Sequence, residues 1–312
     1  MLFCGVMFLT IDIGTSSYKG HILTPSDQYS FQHVTDRTTS GAQAFYVEHA
    51  WYFDSLIVVG DRKHKENRVF DLRDVVRILN DPSKRDITSI RERWPFIKDV
   101  LADGDIALDI RYGDRKVDER VSKVITDMLS YVLERVLKDL NTLVFGVCYI
   151  VPYDYSNTAI ALMRHSFEEA QISKLKLVDE RFATLLPYLY YGGIDRQDAY
   201  IFLMDYGDSC TTLSLARCLK GRLTFLSSKS LSTLSGRQLD RLLLKYIVLK
   251  YSRYTGSSLL ADVPDKEVLL AESESAKIHL SSEDSVDVQL AVHGARRDLL
   301  VRRQEFEALL LL

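Results

Sequence analysis

The chain is short of several things that would narrow its chemistry at once. Its four cysteines (Cys4, Cys148, Cys210 and Cys218) show no paired metal-ligand spacing. Their apolar or turn-edge settings read as reduced thiols of a cytosolic protein, which excludes a disulfide scaffold as the organising device. The seven histidines are scattered, with no H-x-x-x-H and no Cys/His cluster, so a zinc site of that type is not expected. A G-x-S-x-G elbow is absent too, which removes the local signature of a serine hydrolase. No apolar run approaches the roughly eighteen residues of a membrane span. The apolar start, Met1 to Thr10, lacks a basic region and is broken by Asp12, so it reads as a strand and not a leader. Charge is nearly balanced at −3, which provides no general field for nucleic acid or an anionic membrane.

What is present is a soluble composition, 46% hydrophobic and 27% charged over 312 residues, enough for one large or two medium domains with a sizeable core. Strands and helices alternate. Val6–Ile13, Ser17–Leu23, Ala44–Glu48, Leu56–Val59 and Ile106–Tyr112 read as strands, with a Gly113-Asp114 hairpin turn before Lys116–Asp118. Val69–Leu79 reads as a helix. The strongest helix runs from Glu119 to Asn141, where Val121, Val124, Ile125, Met128, Leu129 and Val132 open an unbroken apolar stripe. Strand Val144–Val151, helix Asn157–Gln171, strand Leu175–Val178 and helix Phe182–Tyr191 follow, up to a boundary signal at Gly192-Gly193. The pattern then restarts with strands Tyr200–Asp205, Thr211–Arg217 and Leu223–Ser228. Helices Gln238–Tyr254 and Lys266–Leu280, strand Val286–Val292 and helix Arg303–Leu312 close the chain. Four consecutive leucines, Leu309 to Leu312, should bury against something or mark a contact.

Two turns carry the chemistry. Asp12-Ile13-Gly14-Thr15-Ser16 and Asp205-Tyr206-Gly207-Asp208-Ser209 each end an apolar strand on an Asp, with a Gly two residues on and small hydroxyl residues after it. Such a turn can aim successive backbone N–H groups at an anion, and its Asp can hold a hard divalent cation through water. Each half therefore opens with strand, Asp-x-Gly turn and strand, which suggests two related lobes around a cleft able to grip a nucleotide's phosphates and metal. Asp208 runs against this. At about 5 Å and an effective dielectric of about 20, a carboxylate repels each unit of phosphate charge by roughly 3 kcal/mol. Magnesium coordination could offset that, or Asp208 could simply cap a β-turn.

These residues resemble the ATPase domain of the 70-kilodalton heat-shock chaperone family. The match is collinear from Ile11 to about Leu309. It takes in Asp12-Ile13-Gly14-Thr15, Arg37-Thr38-Thr39, Val59-Gly60-Asp61, Val69-Phe70-Asp71, Trp94-Pro95-Phe96 and Val151-Pro152-Tyr153. It goes on through Asp179-Glu180-Arg181, Asp205-Tyr206-Gly207, Leu234-Ser235-Gly236 and Glu274-Ser275-Ala276-Lys277. The resemblance implies an α/β, actin-like ATPase (ribonuclease H-like) fold, with residues 1–192 as one lobe and 193–312 as a second lobe incomplete at its C-terminal end. By position it makes Asp12 and Asp205 the acids that organise Mg2+. Gly14, Thr15, Ser16 and Gly207 become the phosphate cradle of ATP or ADP, Glu180 the acid near the attacking water, Glu274 and Lys277 the adenosine-side pair, and Gly236 the loop over the sugar.

The departures from the family pattern are concentrated in that machinery. The family's catalytic lysine is Arg73, whose planar fork cannot place a single ammonium at the same point. In the second turn two glycines are Asp208 and Ser209, the threonine is Cys210 and the Asp is Thr212. The proline after Glu180 is Arg181, and an arginine of the adenosine helix is Ile278. By the resemblance, the 312 residues are expected to stop short of the family's last nucleotide-binding segment and not to include its substrate-binding domain. Groups that position a phosphoryl transfer act as a unit, so their joint loss leaves Glu180 poorly supported. Locally, Glu180 also reads as an acidic helix start, Glu274 with Lys277 as an exposed i,i+3 pair, Arg73 as a surface charge beside Arg77, and Arg62-Lys63-His64-Lys65 as a solvated loop.

Two functions remain open on sequence. One is a degenerate chaperone-type domain that binds ATP weakly or not at all and works through protein contacts. It would regulate working chaperones, partner co-chaperones of the J-domain or exchange-factor type, or act beside the ribosome; the surface near Lys176 and Asp179 resembles where the family docks its J-domain activators. The other is a divergent active ATPase in which Arg73 and Glu180 share the placing of water. A truncated product whose lobes fold poorly is a third expectation. Neither nucleic acid nor a membrane is expected as a partner, and the location expected is cytoplasmic.

Overall fold

The structure is a computed structural model. It describes residues 7–13, 18–23, 44–47, 50–53, 56–59, 70–71, 75–80, 88, 91, 96–112, 115–140, 144–192, 198–262, 266–292 and 295–310. The chain divides into two compact units. Met1–Ala199 with Cys218–Arg222 form the first, and Tyr200–Arg217 with Leu223–Leu312 the second.

The first unit is built on a five-stranded sheet in the order β11-β10-β1-β2-β3. Strands β1 (Met7–Ile13), β2 (Tyr18–Leu23) and β3 (Ala44–Val47) run antiparallel in sequence order. On the other side of β1, strands β10 (Val144–Val151) and β11 (Leu175–Asp179) join in parallel. Leu9, Ile11 and Ile13 of β1 are buried, as are Val147, Tyr149 and Val151 of β10. This alternation explains why both runs form strands. Two smaller antiparallel sheets join β4 (Ala50–Phe53) with β5 (Leu56–Val59) and β6 (Phe70–Asp71), and β7 (Ile97–Val100) with β8 (Ile106–Tyr112) and β9 (Arg115–Arg120).

Helix α2 (Val121–Leu140) packs its apolar stripe into the core with α1 (Val75–Asn80) and α3 (Asn157–Glu169). Its first turn is held by the buried carboxylate of Asp105, which accepts from Ser122 N and Ser122 Oγ. Helix was expected from Glu119, yet β9 continues to Arg120 because Arg120 pairs with Ala107 across the hairpin. Likewise the helix expected over Val69–Leu79 is strand at Phe70–Asp71, where these residues pair with Tyr52 and Trp51, and helix only from Val75. At the end of α1, Asn80 Oδ1 accepts from Ser156 N at 2.6 Å while its amide donates to Asp154 O at 2.8 Å. Ser156 in turn caps α3 by accepting from Ala159 N. Phe167 of α3 is fully buried, its ring centre 5.3 Å from that of Tyr149.

The second unit begins with a three-stranded sheet, β12 (Ala199–Tyr206), β13 (Thr211–Leu219) and β14 (Arg222–Leu231), in that order. Helices α5 (Gly236–Thr255), α6 (Leu259–Asp262) and α7 (Lys266–His279) follow. The hairpin β15 (Ser285–Val292) and β16 (Ala295–Arg302) and helix α8 (Arg303–Leu309) complete it. A separate core gathers Leu243, Ile247 and Tyr251 of α5, Leu269 of α7, Val288 and Leu290 of β15, Val301 of β16 and Phe306 of α8. Strand β16 was not expected, because its first residues are charged. Its inward positions Leu299 and Val301 supply the burial. Of the terminal leucines, Leu309 packs against this core and Leu310 is exposed; Leu311 and Leu312 lie outside the described residues. Among the described residues no helix is long and apolar enough to cross a membrane.

Candidate functional site

In the first unit the parallel strands β1, β10 and β11 bring their carboxyl ends to one edge, the side of an open α/β sheet where ligands bind. Asp12 pairs with Ile150 and Val151 with Asp179, so Asp12, Tyr153 and Glu180 come to this edge together. Glu180 opens helix α4 (Glu180–Gly192), and its Oε1 accepts from Tyr153 N at 2.9 Å. The expected acidic helix start is therefore present, with one carboxylate oxygen bound to backbone. Arg181, which stands where the family has proline, donates through Nε to Asp179 at 2.9 Å and lies 4.2 Å from the Tyr153 ring centre. Burial works to raise the Asp179 carboxyl, but the Arg181 guanidinium outweighs it and holds the acid below its ordinary value. Beneath them, burial raises the Tyr149 and Tyr155 phenols, and the charges of Asp12 and Glu180 add to the shift at Tyr149. Gly14, Thr15, Ser16 and Arg73 lie outside the described residues.

The second unit holds the other expected residues. Asp205 is exposed near the end of β12. Beyond it the turn closes when Gly207 N donates to Cys210 O at 3.0 Å. A Cβ on Gly207 would stand 2.8 Å from that same oxygen, so the turn needs glycine there. The turn is then stitched to the start of α5. Gly236 N donates to Gly207 O at 3.0 Å and Arg237 N to Asp208 O at 2.8 Å, while Gln238 N is capped by Ser235 Oγ at 3.3 Å. The first three N–H groups of α5 are thus all directed at protein oxygens. Asp208 was expected to cap a turn or to meet a metal. Its carboxylate receives Arg237 Nη2 at 2.8 Å, with both side chains about four-fifths buried (22% and 17% exposed).

Behind this clasp, Lys277 of α7 reaches Asp240 of α5, Nζ to Oδ1 2.6 Å, and lies 3.5 Å from Gly236 O. The contact with Asp240 is a close ion pair lacking hydrogen-bond alignment, since the buried Oδ1 has no aligned donor. Burial raises the Asp240 carboxyl, Lys277 opposes that, and Glu274 and Asp208 add to it, so Glu274, Lys277 and Gly236 do share one neighbourhood. A cavity of about 250 Å3 opens nearby, lined by Tyr206, Leu234, Ser235, Gln238, Arg241 and Lys245 among others. Sequence reasoning missed Arg237, Asp240 and Tyr153. Arg237 and Asp240 are partners found only across the fold, and Tyr153 contributes a backbone N–H that no residue type announces. Among the described residues no group of three or more His, Cys, Asp or Glu could hold a metal ion.

The family model described as "Hsp70 protein" matches residues 62–311. The chain belongs to the Hsp70 protein family. Its architecture is accordingly the actin-like ATPase fold. Similar proteins include "Chaperone protein HscA homolog" of Vibrio vulnificus, 26% identical over 230 residues that cover 72% of this chain and 35% of the relative. "Heat shock 70 kDa protein 14" of Arabidopsis thaliana is 25% identical over 236 residues, 74% of this chain and 28% of that protein. "Chaperone protein DnaK" of Elusimicrobium minutum is 26% identical over 176 residues, 54% of this chain and 28% of its own. This Hsp70 chain therefore spans about a third of the length of the curated relatives it matches. Within the matched region fall Glu180, Asp205, Gly207, Gly236, Glu274 and Lys277, whereas Asp12 precedes it.

Proposed function

We propose that this chain is a divergent Hsp70-type nucleotide-binding domain that binds ATP weakly or not at all, hydrolyses little, and acts through protein contacts on other chaperones or their co-chaperones. The observation that carries this reading is the clasp between the second turn and α5. A phosphate cradle needs backbone N–H groups turned toward the ligand. Here those of Gly207, Gly236, Arg237 and Gln238 are committed to Cys210, Gly207, Asp208 and Ser235. The Asp208–Arg237 pair closes over the same turn.

The residues fit ATP and Mg2+ only in part. Asp12 and Asp205 are the acids that would hold magnesium through water, and bound magnesium would supply neutralisation of phosphate charge. Lys277 beside Gly236 is the group that would meet the nucleoside side. The second turn fits a phosphate poorly. A second reading, an active ATPase, is favoured by the convergence of Asp12, Tyr153 and Glu180 at the carboxyl ends of the parallel strands. In either case the Arg181–Asp179 pair fixes the start of α4 and so the position of Glu180.

Thermal unfolding with and without ATP and magnesium tests the proposal. A ligand at one hundred times its Kd adds about 2.7 kcal/mol of stability. The expected result is a small shift or none at millimolar ATP, with no phosphate released over hours. Sustained magnesium-dependent phosphate release would select the ATPase reading and reject this one. A partner regulated through Lys176 and Asp179 would lose affinity when Lys176 is reversed to Glu.

A further inference from the structure

Two acidic residues are buried among the described residues, and they are held in opposite ways. Asp105 of the first unit is fully enclosed, and its carboxylate accepts from Ile106 N, Ser122 N and Ser122 Oγ. That is the ordinary condition of a buried polar group. Asp240 of the second unit is 4% exposed, yet its Oδ1 has no aligned donor. Its counter-charge is Lys277 Nζ, 2.6 Å away on a different helix. A buried carboxylate that leans on one ammonium without aligned hydrogen bonds is costly to keep ionised.

The position of the pair shows what it holds. Asp240, Leu243, Ile247 and Tyr251 form the buried stripe of α5. Leu269, Ala276 and Leu280 of α7 share one core with Leu243 and Ile247. The ion pair therefore extends an apolar helix–helix seam to the start of α5. There Lys277 Nζ lies 3.5 Å from Gly236 O, and Gly236 N donates to Gly207 O. A Cβ on Gly236 would stand 3.4 Å from Asp208 Cα and 3.7 Å from Lys277 Nζ, so the turn, α5 and α7 meet at this residue. The pair lies within the packing of α5 on α7 and does not depend on an open surface.

We propose that Asp240 and Lys277 form a proton-operated latch. Ionised Asp240 fastens α7 to the start of α5 and steadies the Gly207 turn, and protonated Asp240 lets Lys277 go. The surrounding charges set the direction. Burial raises the Asp240 carboxyl, Lys277 opposes that from α7, and Glu274 of α7 and Asp208 of the turn add to it. Arg237, three residues back on α5, is engaged by Asp208. Burial also raises the phenol of Tyr206 on β12, which feels both members of the pair: Lys277 lowers it and Asp240 raises it. A carboxyl raised in the folded state takes up its proton before the unfolded chain does near 3.8, so its protonation does not weaken the folded state relative to the unfolded one. This separates a latch from acid denaturation, because the contact opens while the fold stands. Once released, Lys277 has Glu274 three residues back on its own helix as an alternative partner. The latch is independent of the nucleotide reading, since no ligand takes part in it.

Amide hydrogen exchange of the full chain without nucleotide, expressed as protection factors from neutral pH down toward 3.8, provides the test. The expected result is a roughly tenfold fall in protection of the Gly236 and Arg237 amides as Asp240 takes up its proton, with the β15–β16 amides unchanged. Asp240→Asn keeps the size and loses the charge, so it should show low seam protection already at neutral pH and no step. Lys277→Gln should do the same with Asp240 in place, should the first variant fail to fold. His279, exposed at the end of α7 with its ring bonded to Ser275 O, is kept in both variants, so a step that it caused would survive in them. Protection that stays flat in the wild-type seam overturns the proposal. So does a step that persists in either variant, or one in which the β15–β16 amides lose protection together with the seam.

Discussion

Breaking the Asp208–Arg237 clasp should loosen the start of α5 by an amount the geometry sets. The charged groups meet at 2.8 Å between Nη2 and Oδ2. With charge centres about 4 Å apart and an effective dielectric of about 20, the gross attraction is about 4 kcal/mol. Both side chains keep about a fifth of their surface in water, so desolvation and screening remove much of that. A net coupling of about 1–2 kcal/mol is expected. The assay is a double-mutant cycle of Asp208→Ala and Arg237→Ala, read by hydrogen exchange of the Gly236 and Arg237 amides. These amides donate to Gly207 O and Asp208 O, so they report the seam itself. Each single variant should speed their exchange by roughly tenfold. The double variant should be little worse than either single one. Asp208→Gly should also strengthen ATP binding, because the carboxylate that would repel a phosphate is then gone. Additive single effects, or ATP affinity that Asp208→Gly leaves unchanged, would refute the reasoning.

Other perturbations have defined outcomes. Gly207→Ala places a methyl 2.8 Å from the Cys210 carbonyl oxygen and should cost about 1–3 kcal/mol, seen as a lower melting temperature of the second unit by circular dichroism. Phe167→Ala should cost about 3–5 kcal/mol in the first unit. Tryptophan fluorescence will report that loss selectively, because Trp51 and Trp94 both belong to that unit. Burial opposes ionisation of Glu305, but Lys250 and the Arg302 amide outweigh it and lower its pKa. A depressed carboxyl stabilises above the unfolded value near 4.5 and loses that contribution as pH falls through the folded value. Acid titration of unfolding should therefore show a loss at low pH that Glu305→Gln lacks. Asp240 is shifted the other way, so its contribution is greatest below the ordinary carboxylate range and fades as pH rises through its raised value. Asp240→Asn should flatten that part of the profile.

Much of the scaffold was legible because periodicity alone carries it. The stripe of α2 and the alternations of β1, β8 and β10 are local patterns that one face of burial demands. Boundaries failed where tertiary pairing outvoted the local pattern, as at Arg120 and at Phe70–Asp71. Strands β4 and β7 were missed because each makes sense only beside its partners. The Asp-x-Gly turns and the acid at Glu180 stood out by motif. Their pairings did not. Arg237 is 29 residues from Asp208, and Lys277 meets Asp240 from a different helix. Charge complementarity at such separations has no signature along a single chain. Nor did the sequence reveal that β12 turns its large side chains outward, since alternation specifies two faces without saying which is covered.

The pairing of β1 with β10 also bears on how the chain is made. Leu9 finds its parallel neighbour in Val147, roughly 140 residues later, and at a synthesis rate of about 5–20 residues per second that neighbour arrives about 7–28 seconds after it. Until then β1 can pair only with β2, and its other edge stays unmatched. The central strand of the first unit is thus synthesised well before the strand that closes its second edge. Between the synthesis of these two strands a nascent chain of this protein carries an open, apolar sheet edge, the kind of surface on which newly made chains aggregate.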